Sequence, residues 1–293
     1  QHQKPHRVHP NFIPVITLNS ASGIIAMAHG AKGPNLTIST ACSSSAHALG
    51  QALHCIRDGR ADVVIAVGAD ASITPLVFAG FCSLRALSSK FNDYPEKASR
   101  PFDRLRDGFI MGEGAGTLIL ESAAHAKKRK ARVYAEIAGY AATSEAYHMV
   151  IPREDGLEVA HTMRLALADA GVAPAQVNYI NAHATSTTIG DAVEVKAIRR
   201  LFRSHADKIA INATKSLIGH TLGAAGAIGG IASVLALHTG QIHPTANHDD
   251  PDPACALAGL SRSAQERRLN IALLNAFGFG SNNAAVVFKQ ATQ

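Results

Sequence analysis

Residues 40–45 read TACSSS and join two segments with different hydrophobic patterns. The run Leu36–Ser39 before them is apolar and β-branched, which is typical of a buried strand. Ser44–Asp58 after them has the pattern of a helix. Cys42 therefore lies at a predicted strand-to-helix junction, where the helix dipole and free N–H groups favour a thiolate and can hold an oxyanion. A buried core cysteine is the alternative interpretation, because free cysteine is often buried.

The rest of the chain alternates between short apolar runs and helical patterns. This alternation favours a layered α/β fold with buried parallel strands, in which the polar stretch Arg85–Asp107 is an ordered loop. Further strands are predicted at Val63–Val67, Thr117–Leu120, Val133–Ile137, Val177–Ile180, Ile209–Asn212, Ile271–Leu274 and Ala284–Phe288. Further helices are predicted at Leu157–Ala170, Asp191–Phe202 and Gly223–His238.

Two halves of the chain end alike. A glycine turn, Gly112–Gly116, precedes one predicted strand, and a second glycine turn, Gly278–Asn283, precedes another. This weak repeat indicates duplicated α/β units. The boundary is expected in the basic stretch Lys127–Lys130, which gives a first half of residues 1–130 and a second half of residues 131–293.

Composition excludes several classes of function. The 293 residues are 47% hydrophobic and 17% charged, as in a globular protein. The net charge is +6, but the basic residues are scattered without the aromatic residues that nucleic-acid readers carry. The four cysteines form no CxxC pair, and the chain starts without a signal peptide, so we expect a protein of a reducing compartment, the cytoplasm. Leu222–Leu237 is shorter than the ~20 residues of a membrane span and is predicted to be a buried helix.

Three more motifs carry groups suited to acyl transfer. His183 follows one predicted strand, in a turn rich in hydroxyl groups, and Asp191 is placed to cap the next helix. Lys215 and His220 share the loop after another strand, and Phe277–Gly280 resembles a mobile aromatic lid. Each motif alone is weak. Together with Cys42 they supply a nucleophile, two imidazoles and a lysine.

Two other kinds of site are disfavoured. The chain has 15 histidines, and the candidate metal ligands among them lack the HExxH spacing and any cysteine pairing. We therefore predict no metal site. These candidates are predicted to lie at the surface instead, and they are His2, His6, His9, His243 and His248. A dinucleotide site at Gly112 is disfavoured because its glycines precede a strand instead of opening a helix after one.

The motifs TACSSS, NAHATST, TKSLIGH and NAFGFGSNN, in this order, resemble the elongating β-ketoacyl-acyl carrier protein synthases of the KAS I/II type. The stretches Arg100–Asp103 and Asp107–Glu113 match the same family, and the similarity covers essentially the whole chain. The resemblance implies a thiolase-like five-layer αβαβα sandwich built from two duplicated βαβαβαββ halves. It also implies a homodimer or a dimer with a related ketosynthase chain, and no cofactor besides the phosphopantetheine of acyl carrier protein.

The resemblance implies a role for each matching residue. Cys42 accepts the acyl group, and His183 and His220 assist malonyl decarboxylation as neutral N–H donors. Lys215 orders the site electrostatically, with Asp191 and Glu194 as supporting residues. Further roles are the oxyanion hole (N–H groups of Cys42 and Phe279), the gate (Phe279), pantetheine contacts (Thr185 and Thr187), the acyl pocket (Phe81) and carrier-protein docking (Arg7 and Arg85).

The sequence also departs from the family. Little of it precedes Cys42, so we expect an N-terminally truncated chain. Gly229 stands where many members carry a glutamate, which removes one partner of Lys215. Ala184 and Asn282 replace the commoner Gly and Thr, and TACSSS itself resembles polyketide ketosynthases, so a type II polyketide role stays open beside fatty-acid elongation. A non-catalytic chain-length factor is the alternative, although such proteins typically lose the cysteine that this chain keeps.

Overall fold

The computed structural model of the chain describes residues 8–291, which form nine helices and nine strands. The helices are α1 (Phe12–Ile16), α2 (Ser20–His29), α3 (Ser44–Arg57), α4 (Pro75–Ser83), α5 (Ala123–Lys128), α6 (Leu157–Asp169), α7 (Thr188–Phe202), α8 (Lys215–Ile218) and α9 (Ala225–Thr239). The strands are β1 (Val63–Asp70), β2 (Gly114–Glu121), β3 (Ala135–Ser144), β4 (Tyr179–Asn181), β5 (Ala210–Asn212), β6 (Gln241–Ile242), β7 (Gln265–Glu266), β8 (Ile271–Gly278) and β9 (Asn282–Gln290).

The main sheet has five strands in the order β3-β9-β8-β4-β5. β4 pairs in parallel with β5 and with β8, so Ile180 lies between Ile211 and Leu273. The carboxyl ends of these three strands therefore meet at one edge of the sheet, where α/β proteins place their sites. β9 pairs antiparallel with both β3 and β8, so the prediction of parallel strands is correct for β4, β5 and β8 only.

A second sheet repeats part of this arrangement. β1 and β2 pair antiparallel from Val63 opposite Glu121 to Asp70 opposite Gly114. The first half thus ends in an antiparallel pair, as the second half does with β8 and β9. The last strand of each pair lies at one of the two predicted glycine turns, which agrees with the duplication expected from the sequence.

Helices α3 and α9 lie side by side between the two sheets. Their backbones approach closely because α9 carries glycine at the contact: a Cβ on Gly226 would lie 2.4 Å from the backbone nitrogen of Ala46. The Ser45 hydroxyl accepts a hydrogen bond from the Ala227 N–H across this contact. α6 and α7 cover the opposite face of the five-stranded sheet. Residues 8–291 thus build four layers of the sandwich, in the order α, β, α, β.

The apolar segment around α9 is an internal helix. Leu222–Thr239 has the length and hydropathy of a membrane span, but half of it is buried. α9 contacts strands of both sheets, including β2 and β8. Its alanines and glycines therefore have partners within the fold, as the sequence predicted.

Several predicted elements need correction. Leu36–Ser39 is extended but forms no ladder with another strand of residues 8–291, and Leu36 is 71% exposed, so the predicted strand is wrong. α7 begins at Thr188, with Thr187 as N-cap, so Asp191 does not cap it. β3 begins at Ala135, two residues later than predicted. Five helices were not predicted, namely α1, α2, α4, α5 and α8. Arg85–Asp107 is irregular, as expected, apart from a short 3₁₀ turn.

Candidate active site

Cys42 lies in a sharp turn directly before α3. Ala41 has a positive φ of 50°, which a residue with a side chain rarely adopts. Hydrogen bonds between neighbours hold this turn: the Ser44 hydroxyl donates to the Ala41 carbonyl oxygen at 2.7 Å and accepts from the Thr40 N–H at 2.8 Å. Cys42 thus directly precedes the N-cap of α3, and the chain before it is extended without forming a strand.

Burial dominates the acidity of the Cys42 thiol. Cys42 is 9% exposed, and this burial raises its pKa to about 11. The positive charge of Lys215 and the N–H groups of Cys42 and Phe279 lower the pKa, while the carboxylate of Asp70 raises it. Burial therefore favours the protonated thiol in the free protein and opposes the thiolate that the sequence predicts at the helix terminus. The two N–H groups that act on the sulfur are those predicted to form the oxyanion hole.

The turn that carries His183 is held by two buried carboxylates of α7. Glu194 accepts hydrogen bonds from the N–H groups of His183 and Ala184 at 2.9 and 2.8 Å. Asp191 accepts one from the Ser186 N–H at 3.1 Å. Ala184 and Ser186 both have positive φ, so these carboxylates stabilise a backbone shape that is otherwise disfavoured. Asp191 and Glu194 thus lie where supporting residues would.

Hydrogen bonding sets the tautomer of His183. Its Nδ1 accepts from the Phe277 N–H at 3.3 Å, so Nδ1 carries no proton and the neutral ring bears its hydrogen on Nε2. Burial, then the charge of Lys215, lowers the pKa of His183 well below its usual value. The ring is therefore a neutral N–H donor.

His220 follows β5 by way of the short helix α8 and Gly219, which has a φ of 73°. Its backbone is fixed on both sides, because its N–H donates to the Ile110 carbonyl oxygen at 2.7 Å and its carbonyl accepts from the Gly112 N–H at 2.9 Å. The side chain is 2% exposed, and neither ring nitrogen has a hydrogen-bond partner among residues 8–291. Burial, then Lys215, lowers the pKa of His220 well below its usual value.

Lys215 is a buried lysine whose pKa falls to about 8 through burial, although Glu194 opposes this change. Although Gly229 offers no carboxylate, the negative charge of Glu194 acts on Lys215. Gly229 has a packing reason of its own: a Cβ there would lie 2.8 Å from Cδ1 of Leu274 and 3.1 Å from Oδ1 of Asn181.

Cys42, His183 and His220 line one cavity of about 580 Å³. Phe81, on α4, lines it too, and its ring lies 5.2 Å from that of Phe109 and 6.5 Å from that of Phe279. The apolar wall fits the predicted acyl pocket and gate. Thr185 and Thr187 also line the cavity, with their hydroxyl oxygens 3.1 Å apart.

The two predicted docking residues have different outcomes. Arg85 is exposed at the end of α4 and lines the same cavity. Arg7 lies outside the described residues, as do His2 and His6.

Two histidines predicted at the surface are not there. His248 is 8% exposed, and burial, then the charge of Arg262, lowers its pKa. His243 is partly buried and bonds to the Thr214 hydroxyl at 3.0 Å. The sequence pattern does not distinguish these residues because neither lies in a periodic element.

Three cavity residues escaped the sequence analysis. Asp70 ends β1, Glu145 follows β3, and Phe109 lies in the long loop with its ring 5.4 Å from that of His220. Asp70 carried a signal like that of His183, a polar residue shortly after a predicted strand, whereas Glu145 lies eight residues beyond Ile137, where its strand was predicted to end. Phe109 lies within a stretch that matches the family but offered no local signal.

The sequence profiles of one family match both halves of the chain. The description "Beta-ketoacyl synthase, N-terminal domain" applies to residues 1–126, and "Beta-ketoacyl synthase, C-terminal domain" applies to residues 134–249.

Curated relatives share nearly half of the residues. The chain is 47% identical to "3-oxoacyl-[acyl-carrier-protein] synthase I, chloroplastic" of Hordeum vulgare over 96% of its own length and 61% of that protein. It is 44% identical to "3-oxoacyl-[acyl-carrier-protein] synthase 2" of Coxiella burnetii, over 98% of the chain and 69% of the relative. The chain thus spans about three fifths to two thirds of the length of these relatives.

Solved structures give the same result. The chain superposes with a TM-score of 0.97 and 38% identity on a structure described as a type II PKS acyl-carrier protein in complex with its ketosynthase, over 100% of the chain and 72% of the other. A second, "The ishigamide ketosynthase/chain length factor", has a TM-score of 0.90 and 35% identity, over 98% and 69%. Cys42, His183 and His220 line one cavity, the buried charge of Lys215 acts on all three, and the profiles and relatives agree, so the chain belongs to the β-ketoacyl synthase family.

Proposed function

We propose that this chain carries the active site of a 3-oxoacyl-acyl carrier protein synthase, an acyltransferase that elongates acyl chains by decarboxylating condensation. The single observation that carries the proposal is the shared cavity of Cys42, His183 and His220. The names of the relatives, 3-oxoacyl-acyl carrier protein synthases, support the same reaction.

The first step is transfer of an acyl group to Cys42. The sulfur attacks the thioester carbon of acyl-pantetheine, the new carbon–sulfur bond replaces the old one, and the thiol proton leaves with the pantetheine sulfur. The pKa of about 11 means that the thiol is protonated at rest, so deprotonation accompanies the attack. The N–H groups of Cys42 and Phe279 receive the negative charge that develops on the carbonyl oxygen.

The second step forms the new carbon–carbon bond. The malonyl thioester loses carbon dioxide, and the electrons of the broken bond form an enolate. The Nε2–H of His183 and a ring N–H of His220 donate to the enolate oxygen, which suits imidazoles kept neutral by burial. The enolate carbon then attacks the thioester on Cys42, and the Cys42 sulfur leaves to give 3-oxoacyl-acyl carrier protein.

Partners and setting follow from the same proposal. We infer that acyl carrier protein delivers both substrates and that the enzyme acts as a dimer, either with itself or with a related chain. A structure of a ketosynthase with its acyl-carrier protein and one of a ketosynthase/chain length factor support these two kinds of partner. The cysteines are all unpaired, in keeping with a soluble enzyme of the cytoplasm.

The test is the intact mass of the full-length protein after incubation with acyl-acyl carrier protein. We expect a mass increase of one acyl group, no increase in Cys42→Ala, and an unchanged increase in Cys82→Ala, whose cysteine is exposed. Malonyl-acyl carrier protein added afterwards should remove the acyl group from Cys42. A wild-type protein that takes no acyl group would instead be a non-catalytic chain-length factor. Which acyl carrier proteins load it, those with fatty acyl chains or those with polyketide chains, distinguishes fatty-acid elongation from polyketide synthesis.

A further inference from the structure

The turn between β8 and β9 has an unusual backbone. It consists of Phe279, Gly280 and Ser281, and the last two have φ values of 80° and 65°. Glycine adopts such values freely, but a serine there is disfavoured unless its surroundings hold it. The turn therefore depends on contacts from other residues for its shape.

Asn282 supplies such contacts from inside the turn. Its side-chain amide donates to the Phe279 carbonyl oxygen at 3.1 Å and to the Gly280 carbonyl oxygen at 3.3 Å. A Cβ at position 280 would lie 3.0 Å from the same amide nitrogen, so the amide occupies the space that a side chain there would need.

The segment after β3 holds the turn from outside. The Gly280 N–H donates to the Met149 carbonyl oxygen at 2.8 Å, and the Ser281 hydroxyl donates to the His148 carbonyl oxygen at 3.0 Å. The Ser281 carbonyl oxygen accepts from the Glu145 N–H at 3.0 Å. The turn is thus fixed on both sides, and Asn282 is the contact nearest to Phe279.

The shape of this turn sets the direction of one N–H group at the nucleophile. Gly278, at the end of β8, presses against the nucleophile turn, since a Cβ there would lie 2.4 Å from the Thr40 carbonyl oxygen and 3.2 Å from the Cys42 nitrogen. The next N–H, that of Phe279, acts on the Cys42 sulfur. The ladder to β9 holds the chain before Phe279, and Asn282 holds the carbonyl after it.

We propose that Asn282 is a positioning residue for acyl transfer, whose amide aims the Phe279 N–H at the carbonyl oxygen of the thioester on Cys42. The inference rests on the proposed function. It assigns Asn282 to the chemistry of the thioester and not to the enolate, whose oxygen faces His183 and His220.

The test compares three reactions of the full-length protein in Asn282→Ala. Acylation of Cys42 by acyl-acyl carrier protein should slow about 10-fold to 100-fold, less than the ~10²–10³ that loss of a whole oxyanion donor costs. Malonyl decarboxylation should stay within about 2-fold of wild type. Alkylation of Cys42 by iodoacetamide should slow much less than acylation, because that displacement forms no oxyanion and loses only the smaller effect of the Phe279 N–H on the thiol pKa. Asn282→Thr keeps one hydroxyl donor and should recover part of the acylation rate.

Asn178→Ala is the matched control. Asn178 also bonds by its side chain to two backbone groups, the N–H groups of Asn270 and Ile271, but it lies at the opposite end of β4 from His183. It should leave all three reactions unchanged. Equal acylation in Asn282→Ala and wild type would overturn the inference, and so would a parallel fall in all three reactions. If Asn282→Ala does not fold, Asn282→Thr carries the comparison. A wild-type protein that is never acylated contradicts the proposed function itself.

Discussion

The rings of His183 and His220 lie perpendicular to each other, with their centroids 5.6 Å apart. The two residues follow different strands, β4 and β5, which are parallel neighbours, and this pairing brings their loops to one edge of the sheet. His183 keeps its hydrogen on Nε2, since Nδ1 accepts from the Phe277 N–H. Two neutral N–H donors therefore lie close enough to act on one oxygen atom.

The first prediction concerns these two rings. His183→Ala and His220→Ala should each slow malonyl decarboxylation by about 10²–10³, the cost of one preorganised donor, and should slow acylation of Cys42 much less. Release of carbon dioxide and formation of the acyl adduct are measured separately. Wild-type decarboxylation in both variants would show that the rings are structural.

The second prediction is the pH dependence of decarboxylation. The pKa values of His183 and His220 lie well below 6.5, the ordinary value, because of burial and then the charge of Lys215. The folded protein therefore keeps both rings neutral as the pH falls through 6.5, whereas an exposed histidine would gain its proton there. We expect the decarboxylation rate per folded molecule to stay level down to about pH 6.

The same shift predicts lower stability in acid. Because the unfolded chain binds these protons near pH 6.5 and the folded chain does not, the two residues stabilise the fold above pH 6.5 and lose that contribution as the pH falls below it. Urea unfolding from pH 8 to pH 5 measures how much of the free energy of unfolding is lost in acid. The loss should be smaller in the double variant His183→Ala, His220→Ala, which would assign it to these two residues. For the decarboxylation rate of the second prediction, a fall with a midpoint near pH 6.5 would show that one of these rings gains a proton there, and would contradict their assignment as neutral.

The third prediction concerns Lys215, whose charge lowers the pKa of Cys42. Lys215→Met removes that charge, so the thiol pKa should rise above about 11 and iodoacetamide should alkylate Cys42 about 3-fold to 10-fold more slowly at pH 7. Lys215 itself loses its proton near pH 8, so the difference between the two proteins should shrink above that pH. The measurement is peptide mapping in a Cys82→Ala background, because Cys82 is exposed. A difference that is the same at pH 7 and pH 10 would rule out an effect of charge.

The elements that the sequence predicted well are those with a local signal. α3 was predicted to within one residue because Leu49 and Leu53 repeat at helical spacing before its end at Arg57. α4 was missed because its apolar residues, from Leu76 to Phe81, follow one another without a polar face. Leu36–Ser39 has the composition of a strand but no partner among residues 8–291, and composition does not supply a partner.

The site was predictable residue by residue but not as an arrangement. Cys42, His183 and His220 each follow a predicted strand or extended run, and family resemblance assigned their roles. The positive φ of Ala184, the carboxylate of Glu194 beneath it and the amide of Asn282 depend on contacts between distant segments. Contacts between distant segments leave no periodic pattern in the sequence from which they could be predicted. The burial that raises the pKa of the Cys42 thiol is likewise a property of the assembled fold.

The fourth prediction concerns Gly229. Gly229→Glu would restore the residue that many family members carry, but its Cβ would meet Leu274 at 2.8 Å and Asn181 at 3.1 Å. Overpacking of this kind costs about 1–3 kcal/mol of the free energy of unfolding. Chemical denaturation measures it, with Leu235→Glu as the control, since Leu235 is on the same helix and 46% exposed. A variant as stable as wild type would mean that α9 shifts to admit the new side chain.

The fifth prediction concerns docking of the acidic carrier protein. Arg85 is exposed and lines the cavity, and Arg7 is predicted to act with it. One exposed charge contributes only about 0–1 kcal/mol, so a single substitution should change little. The double reversal Arg7→Glu, Arg85→Glu should raise KM for carrier-bound substrate, and more steeply at low salt, because attraction between opposite charges acts over a longer range there.

The control for docking separates a local effect from a change in net charge. Arg164→Glu with Arg268→Glu alters the net charge by the same amount at two exposed positions that do not line the cavity, and it should leave KM near wild type. A small pantetheine thioester offers a second comparison, since it lacks the carrier's acidic surface and should be used equally well by all the proteins. If the reversal of Arg7 and Arg85 raises KM for both substrates equally, the two arginines shape the cavity and the carrier docks elsewhere. If it raises neither, they have no part in binding.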